Sequence, residues 1–383
     1  MNIGIFTDTY HPQINGVVTS ILMLEKELEK LGHNVFVFTT TNPDATYQKA
    51  NVFRFPSMPL TFLPSHRIAI LYSPKLLLKM KSLHLDIIHT HTEFSLGVFG
   101  KIMSGIHHIP MVHTYHTMYE NYTHYIFNGF LITPKMAQHF SRVFCNRAEV
   151  VIAPVDKTLQ YLKKIGVSRI IETIPTGLDF APFKAKNFGQ QDLDNARLEL
   201  GIEESDPVIV YIGRVAKEKS LDVLIAMMPK LLKRIPKAKL VVVGDGPIMK
   251  ELKKMAVSLS VHGSIIFAGA RPWDSIVKYY RVGNVFATAS TSETQGLTYI
   301  EAMASCIPVV VKKDPSFNGI IKHGETGFIF EKDQDAADMI HYALTHRKES
   351  LKIAEQALKS VQALSSHQYA LDVEKVYYSL KMK

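Results

Sequence analysis

Two glutamates, Glu293 and Glu301, bracket the segment Glu293-Thr294-Gln295-Gly296-Leu297-Thr298-Tyr299-Ile300-Glu301. A strand-like run, Asn284 to Thr288, precedes it, and a helix-like run, Ile300 to Ala304, follows. The small and polar residues between the carboxylates predict that the backbone N–H groups of Gly296, Leu297 and Thr298 are exposed at a helix start. Such a start is an anion site, because its first N–H groups lack intrahelical partners and the helix dipole is positive there. Glu301 then falls about one turn, ~5 Å, inside the helix, with Glu293 in the loop on the other side. A diphosphate flanked by two polyhydroxylated groups fits this layout, one carboxylate accepting from a sugar and the other from a ribose. That is the chemistry of a nucleotide sugar. Spacing alone fits equally well two surface glutamates with a capping role.

Other residues bear on that choice. Ile212-Gly213-Arg214-Val215-Ala216-Lys217-Glu218-Lys219 follows a strand-like run. Arg214 and Lys219 then sit at a strand-to-helix turn, a planar fork and a point charge able to converge on a diphosphate and neutralise a leaving phosphate. A solvated charged turn is the plain alternative. Val243-Gly244-Asp245-Gly246-Pro247 resembles the start of a dinucleotide fingerprint but lacks its third glycine, and reads as a tight turn near a nucleotide base at most. Asn15-Gly16-Val17 opens the first helix, where Gly16 either admits a phosphate or sugar to the backbone or makes a plain turn.

Four histidines lie near two strand ends, in Asp86-Ile87-Ile88-His89-Thr90-His91 and Val112-His113-Thr114-Tyr115-His116. The His-x-His spacing suggests a metal, but alternate residues of a parallel strand share a face, and packing is the simpler account. His116 lies past its strand, where it could hydrogen-bond a sugar hydroxyl or donate to charge developing in a reaction. Asp192-Leu193-Asp194 and Asp333-Gln334-Asp335 match a metal-binding spacing, yet both fall at expected helix starts and read as caps. Ser73-Pro74 followed by Lys75, Lys79 and Lys81 reads as a capped amphipathic helix packed on the sheet; with Arg67 upstream it could instead lie on an anionic membrane. Phe62, Tyr72, Tyr119, Tyr122, Tyr125 and Phe127 suggest an apolar acceptor path, and equally a core.

The elements positioning these residues come in two series. Ile3–Phe6, Val35–Thr39, Asp86–His89, Met111–Thr114, Val150–Ala153 and Ile170–Ile174 read as strands. Helical patterns separate them, the first with Val17, Ile21, Leu24, Leu28 and Leu31 at helical spacing before Gly32. The alternation restarts with strands Val208–Ile212 and Leu240–Val243, helix Leu221–Leu232 and late strand Ile307–Val311. Strands alternating with helices mean parallel sheets. The expected fold is α/β with two doubly wound, Rossmann-like domains, 1–179 and 180–364, facing a cleft, since open parallel sheets bind ligands outside their strands' carboxyl ends. Residues 365–383 read as a helix whose return to the first domain the sequence leaves open.

The 383 residues exceed one core. Hydrophobic content of 46% and charged content of 21% suit a soluble, globular chain. No apolar run reaches the roughly 18 residues of a membrane span. Met1 to Asp8 reads as a first core strand, with neither the basic start nor the cleavage pattern of a signal peptide. Cys145 and Cys306 form no disulfide or metal pattern, which points to a reducing cytoplasm. The net charge of +9 splits unevenly, with 18 Lys and Arg against 12 Asp and Glu in residues 1–190 and 26 against 23 thereafter. A basic first half suits nucleic acid or an anionic membrane; the absence of any nucleic-acid motif or Arg-rich stripe favours the membrane.

Asn15-Gly16-Val17, Gly213-Arg214 with Lys219, Gly244-Asp245-Gly246-Pro247 and the Glu293/Glu301 pair together resemble the family 4 retaining glycosyltransferases of GT-B architecture, over nearly the whole chain. His89-Thr90-His91-Thr92-Glu93-Phe94-Ser95-Leu96-Gly97 and His116-Thr117-Met118-Tyr119-Glu120-Asn121-Tyr122 are similar to the bacterial diacylglycerol glucosyltransferases. The resemblance implies transfer of glucose from UDP-glucose to 1,2-diacylglycerol at the cytoplasmic membrane face, giving α-monoglucosyl-diacylglycerol, with no metal cofactor. It implies that Arg214 and Lys219 hold the diphosphate, Glu301 the ribose and Glu293 the transferred sugar. Gly296, Leu297 and Thr298 would give backbone donors, Gly244 would lie by the nucleotide, and Gly16 and His116 would serve at the reacting centre. Ser220 stands where the family commonly has Gly. The alternatives are transfer to a soluble or other lipid acceptor, a UDP-sugar epimerase, or a non-catalytic nucleotide-sugar-binding protein.

Overall fold

The computed structural model describes residues 1–45, 49–60, 63–120, 123, 133–184, 189–272, 275–317 and 319–382. They form two compact units, Met1–Gly177 with Ser366–Lys383, and Leu178–Ser365.

In the first unit β1 (Asn2–Phe6), β2 (Asn34–Thr40), β3 (Val52–Phe55), a hairpin of β4 (Ser57–Leu60) and β5 (Leu63–Ala69), then β6 (Ile87–Thr90), β7 (Met111–Thr114), β8 (Val150–Ala153) and β9 (Ile170–Thr173) follow in chain order. Seven of them make one parallel sheet, ordered β3-β2-β1-β6-β7-β8-β9. Alternation along β1 sends Ile3 and Ile5 to one face, with the helix Gly16–Lys30, and Phe6 to the other, with the helix Ser95–His107. The helix Ser366–Lys381 completes the first face, burying Tyr369, Val373 and Tyr377. Full burial of an apolar side chain such as Val373 contributes roughly 1.5–3 kcal/mol. His33 joins this helix through Glu374 at 2.6 Å, and Lys381 pairs with Asp86 at 2.8 Å.

The second unit holds β10 (Val208–Ile212), β11 (Lys239–Val243), β12 (Ile265–Gly269), β13 (Val285–Thr288), β14 (Val309–Lys312) and β15 (Phe328–Phe330). Its parallel sheet runs β12-β11-β10-β13-β14-β15. Both sheets therefore reverse strand order beside their first strand, the position where doubly wound sheets bind ligands.

Several expected elements differ in instructive ways. The helix expected over Leu221–Leu232 is two, Leu221–Ala226 and Met228–Leu232, divided next to Pro229, which has no N–H to continue the ladder. Asp192 does cap, accepting from the Gly189 backbone at 2.9 Å. Asp333 and Asp335 do not: no side chain caps the helix Ala336–Thr345, and Asp333 pairs with Lys312 at 2.7 Å. Ser73 stands at the start of the helix Pro74–Ser82 without a capping bond. That helix turns Leu76, Leu77 and Met80 toward the core and leaves Leu78 outward. Strands β3, β4, β5, β12 and β15 lie outside the expected runs. β15 is only three residues long, and β12 carries Gly269, so neither shows a clear pattern.

Gly244 decides how closely the loops after β10 and β11 approach. Its φ is +142°, and a Cβ there would stand 1.9 Å from the Gly213 carbonyl oxygen. Gly244→Ala is expected to cost about 2 kcal/mol or more, since backbone conformation and space both oppose a side chain. An unchanged thermal melting temperature would contradict that geometry.

Candidate active site

In the second unit the loop leaving β10 carries Gly213 to Ser220. The Tyr211 hydroxyl donates to the Arg214 carbonyl at 3.0 Å, and the Val215 N–H donates to the Asp245 carbonyl at 2.9 Å. These bonds fix the turn at both ends. Arg214 stays partly exposed, its guanidinium 4.0 Å from Glu218. Ser220 takes the left-handed conformation, φ +51° and ψ 42°, which explains why glycine suits this position. The turn nevertheless closes, and Lys219 reaches across to Glu293, Nζ to Oε1, at 2.7 Å.

The loop leaving β13 carries the partner residues. The Ser292 hydroxyl donates to the Glu218 carbonyl at 2.8 Å, drawing the two loops together. Gly296, at φ +77°, starts the helix Leu297–Ala304, and no side chain caps it. A Cβ on Gly296 would stand 2.0 Å from the Tyr299 ring, whose hydroxyl donates to the Gln295 carbonyl. The amides of Leu297 and Thr298 therefore open this helix with the dipole's positive end and no capping competitor. Glu301 lies one turn in and is buried, accepting from the Tyr280 hydroxyl at 2.7 Å. The same hydroxyl lies 3.1 Å from the Thr298 carbonyl. Burial, and then the charge of Glu301, push the Tyr280 phenol well above its ordinary range, so it is a donor at all working pH.

The structure thus brings Arg214, Lys219, Glu293, Gly296, Leu297, Thr298 and Glu301 to the loops after β10 and β13, with Gly244 in the adjoining loop after β11. Sequence reasoning missed Tyr211, Tyr280, Ser292 and Tyr299, which shape these loops. Their partners are distant in sequence or backbone atoms, which no spacing reveals.

In the first unit, Asn15 caps the helix Gly16–Lys30, accepting from Val18 N–H at 3.0 Å, and Gly16 is its exposed first residue. At the end of β1, Asp8 accepts from the Thr92 hydroxyl at 2.6 Å, the Leu96 N–H at 3.0 Å and the Ser95 hydroxyl, capping the helix Ser95–His107 from another element. Burial raises its carboxyl pKa, against those bonds.

The four histidines divide between the faces of the sheet. His89 bonds the Tyr377 hydroxyl at 2.6 Å and Thr114 at 2.7 Å. His113 lies 3.2 Å from Glu93, which also accepts from the Tyr119 hydroxyl. His91 Nδ1 lies 2.9 Å from His116 Nε2, and His91 Nε2 is buried with no hydrogen-bond partner among the described residues. His116 is half-buried at the loop following β7. Among the described residues, no three His, Cys, Asp or Glu gather as a metal-holding group. Of the aromatic residues suggested as an acceptor path, Tyr72 is open to solvent and Tyr119 is tied to Glu93. Phe62, Tyr122, Tyr125 and Phe127 lie outside the described residues.

Comparison with known proteins extends the picture. The family model described as Glycosyltransferase Family 4 matches residues 14–181, and that described as Glycosyl transferases group 1 matches residues 192–360. An "Alpha-monoglucosyldiacylglycerol synthase" of Streptococcus pneumoniae (strain ATCC BAA-255 / R6) is 40% identical over 90% of this chain and 78% of its own. A protein of the same name from Acholeplasma laidlawii is 31% identical over 99% of this chain and 97% of its own. Among solved structures, Anabaena Alr3699/HepE in complex with UDP and glucose superimposes with a TM-score of 0.82, at 20% identity, over 99% of this chain and 100% of that one.

Burial holds three of these histidines, His89, His91 and His116, neutral. It lowers His89 and His91 well below 6.5, and neighbouring imidazoles add to the effect; it brings His116 to about 3. The unfolded chain binds these protons nearer 6.5. Their contribution to stability is therefore fully present above pH 6.5 and is lost as the pH falls below it. Asp8 acts oppositely, but one carboxyl opposes three imidazoles. Urea unfolding is expected to show stability falling from pH 7 to pH 5 by more than about 1.4 kcal/mol per pH unit, the limit for one group. A flat profile would mean that the three rings are not held neutral.

Proposed function

The chain belongs to the family 4 glycosyltransferases, and on that premise we propose that it moves glucose from UDP-glucose to 1,2-diacylglycerol with retention, giving α-monoglucosyl-diacylglycerol. The geometry supporting the donor is the uncapped start of Leu297–Ala304 beside Lys219, Glu293 and Arg214 at the strand-order reversal. The acceptor rests on the two relatives named as α-monoglucosyldiacylglycerol synthases, at 40% and 31% identity.

In this reading the diphosphate sits on the Leu297 and Thr298 amides, with Arg214 and Lys219 neutralising it and Gly244 leaving room beside the nucleotide. Glu301, steadied by Tyr280, accepts from the ribose, and Glu293 from the sugar. The bond from the anomeric carbon to the phosphate oxygen breaks, its electron pair leaving with UDP. The acceptor hydroxyl attacks from the face UDP leaves, and its proton passes to the departing phosphate. Transition-state stabilisation falls on the growing phosphate charge, where cations and fixed amides act most strongly. We assign to His116 a neutral role, hydrogen-bonding sugar, and to Gly16 a backbone approach for sugar or acceptor. With two cations and a helix dipole supplying positive charge, no metal is required. The enzyme is proposed to work at the cytoplasmic, anionic face of the cell membrane. Among the described residues no helix is long and apolar enough to cross it.

Incubation with UDP-glucose and diacylglycerol in mixed micelles containing EDTA is expected to yield the α-monoglucosyl lipid. A strict need for Mn²⁺ or Mg²⁺, or UDP release with a soluble acceptor only, would overturn this reading. Lys219→Ala is expected to lower turnover by roughly 100-fold or more, the scale for losing one such charge-stabilising donor. Unchanged turnover would remove Lys219 from the mechanism.

A further inference from the structure

The first unit carries an apolar surface that its core does not use. On the helix Ser95–His107, Leu96, Phe99 and Met103 face inward, while Val98, Ile102 and Ile106 continue an outward stripe begun by Phe94. On the neighbouring helix Pro134–Cys145, Ala137, Ser141 and Phe144 face inward, and Met136 and Phe140 outward. These six outward side chains are between 36% and 62% exposed. The stripes adjoin: the Phe94 and Phe140 rings stack at 6.2 Å, and a Cβ on Gly97 would meet the Phe144 ring at 3.2 Å. The surface extends to β5, where the Ala69 N–H donates to the Ser95 hydroxyl at 2.9 Å and the flanking Ile68 and Ile70 are exposed.

The charges around this surface have one sign. Neither helix contains an aspartate or glutamate, whereas Lys101, Lys135 and Arg142 lie on them and Arg147 just beyond. Among the described residues none of these four pairs with a carboxylate. Burial, and then the neighbouring Arg147, lower the Lys101 ammonium pKa. Contiguous apolar side chains on neighbouring helices, flanked by unpaired Lys and Arg, are the pattern of a surface lying in a bilayer interface, stems in the acyl boundary and charges at the headgroups. The helix Pro74–Ser82 fits less well, because it spends Leu76, Leu77 and Met80 on the core.

We infer that the outer face of the helices Ser95–His107 and Pro134–Cys145 docks this protein on an anionic lipid bilayer. The inference deepens the lipid-acceptor reading and rests on it for its purpose. It is tested by co-sedimentation with vesicles of phosphatidylcholine, alone or equimolar with phosphatidylglycerol. Wild-type protein should bind the anionic vesicles, and the triple variant Val98→Glu, Ile102→Glu, Phe140→Glu should lose at least about tenfold in partitioning. Glucosyl transfer to a water-soluble short-chain diacylglycerol should stay within about twofold, because these residues lie outside the proposed chemistry. Should the triple variant unfold, Ile102→Glu and Phe140→Glu singly give the same comparison. The inference is overturned if wild-type protein ignores anionic vesicles, or if only Lys79→Glu with Lys81→Glu releases it. It is also overturned if the changes dissociate a dimer and leave vesicle binding intact, which would make a second copy the occupant. Vesicle binding as expected with no lipid glucosylation by wild type would sink the proposed reaction and leave the docking face standing.

Discussion

The reversal of strand order beside β10 is the constraint on which the donor half of this protein depends. A strand flanked by β11 on one side and β13 on the other sends its outgoing loop one way while the loop from β13 goes the other. Two loops leaving neighbouring carboxyl ends can then face each other across a crevice. Lys219 crosses it to Glu293 at 2.7 Å, and Ser292 ties the loop backbones at 2.8 Å. The close approach of Gly244 to Gly213 belongs to the same arrangement, since the loop from β11 supports the turn that aims Arg214 and Lys219. A larger residue at Gly244 would act on the site through backbone position and not through lost chemistry.

Side-chain charge alone does not make this crevice attractive to a diphosphate. Arg214 and Lys219 bring two positive charges; Glu218, Glu293 and Glu301 bring three carboxylates. The balance comes from the backbone. A serine or aspartate at the start of Leu297–Ala304 would occupy its free amides, as Asn15 does at Gly16–Lys30. Gly296 leaves them open, and two independent facts make glycine the residue that fits: a left-handed φ and the Tyr299 ring 2.0 Å from where a Cβ would be. The histidines of the other unit show the opposite use of polarity. Among them His89, His91 and His116, buried against Tyr377, Thr114 and one another, are held neutral, so they position without adding charge.

Much of this was legible in the sequence. Periodicity gave Gly16–Lys30 to within a residue, and Met111–Thr114, Val150–Ala153 and Val208–Ile212 without error. Continuous apolar runs ending in glycine or charge are what buried parallel strands require. The helix start at Gly296–Leu297 was legible because glycine and flanking polar residues mark it locally. Tyr280 was not, because its role is a contact with Glu301 across 21 residues. Asp8 was not, because it caps a helix that begins more than 80 residues later. The aspartates at 333 and 335 misled for the reverse reason: local spacing fits a cap, while Lys312 from β14 claims Asp333.

The charge surplus gains meaning from where it is left unpaired. In the second unit Lys219, Lys230, Arg234, Lys237, Arg271, Lys278, Lys312 and Lys313 each meet a carboxylate within 4 Å. Pairs of this kind are mostly surface interactions worth under about 1 kcal/mol each, but they cancel the field that bare cations would project. On the helices Ser95–His107 and Pro134–Cys145 no such cancellation occurs among the described residues, and the surplus of the basic half is carried outward beside exposed isoleucine and phenylalanine. Cations that only kept the chain soluble would gain nothing from being set against an apolar stripe. Beside one, each arginine or lysine can bury its stem while its head finds an anion. The apolar contact and the charge contact then reinforce each other at a single surface, and salt weakens only the second.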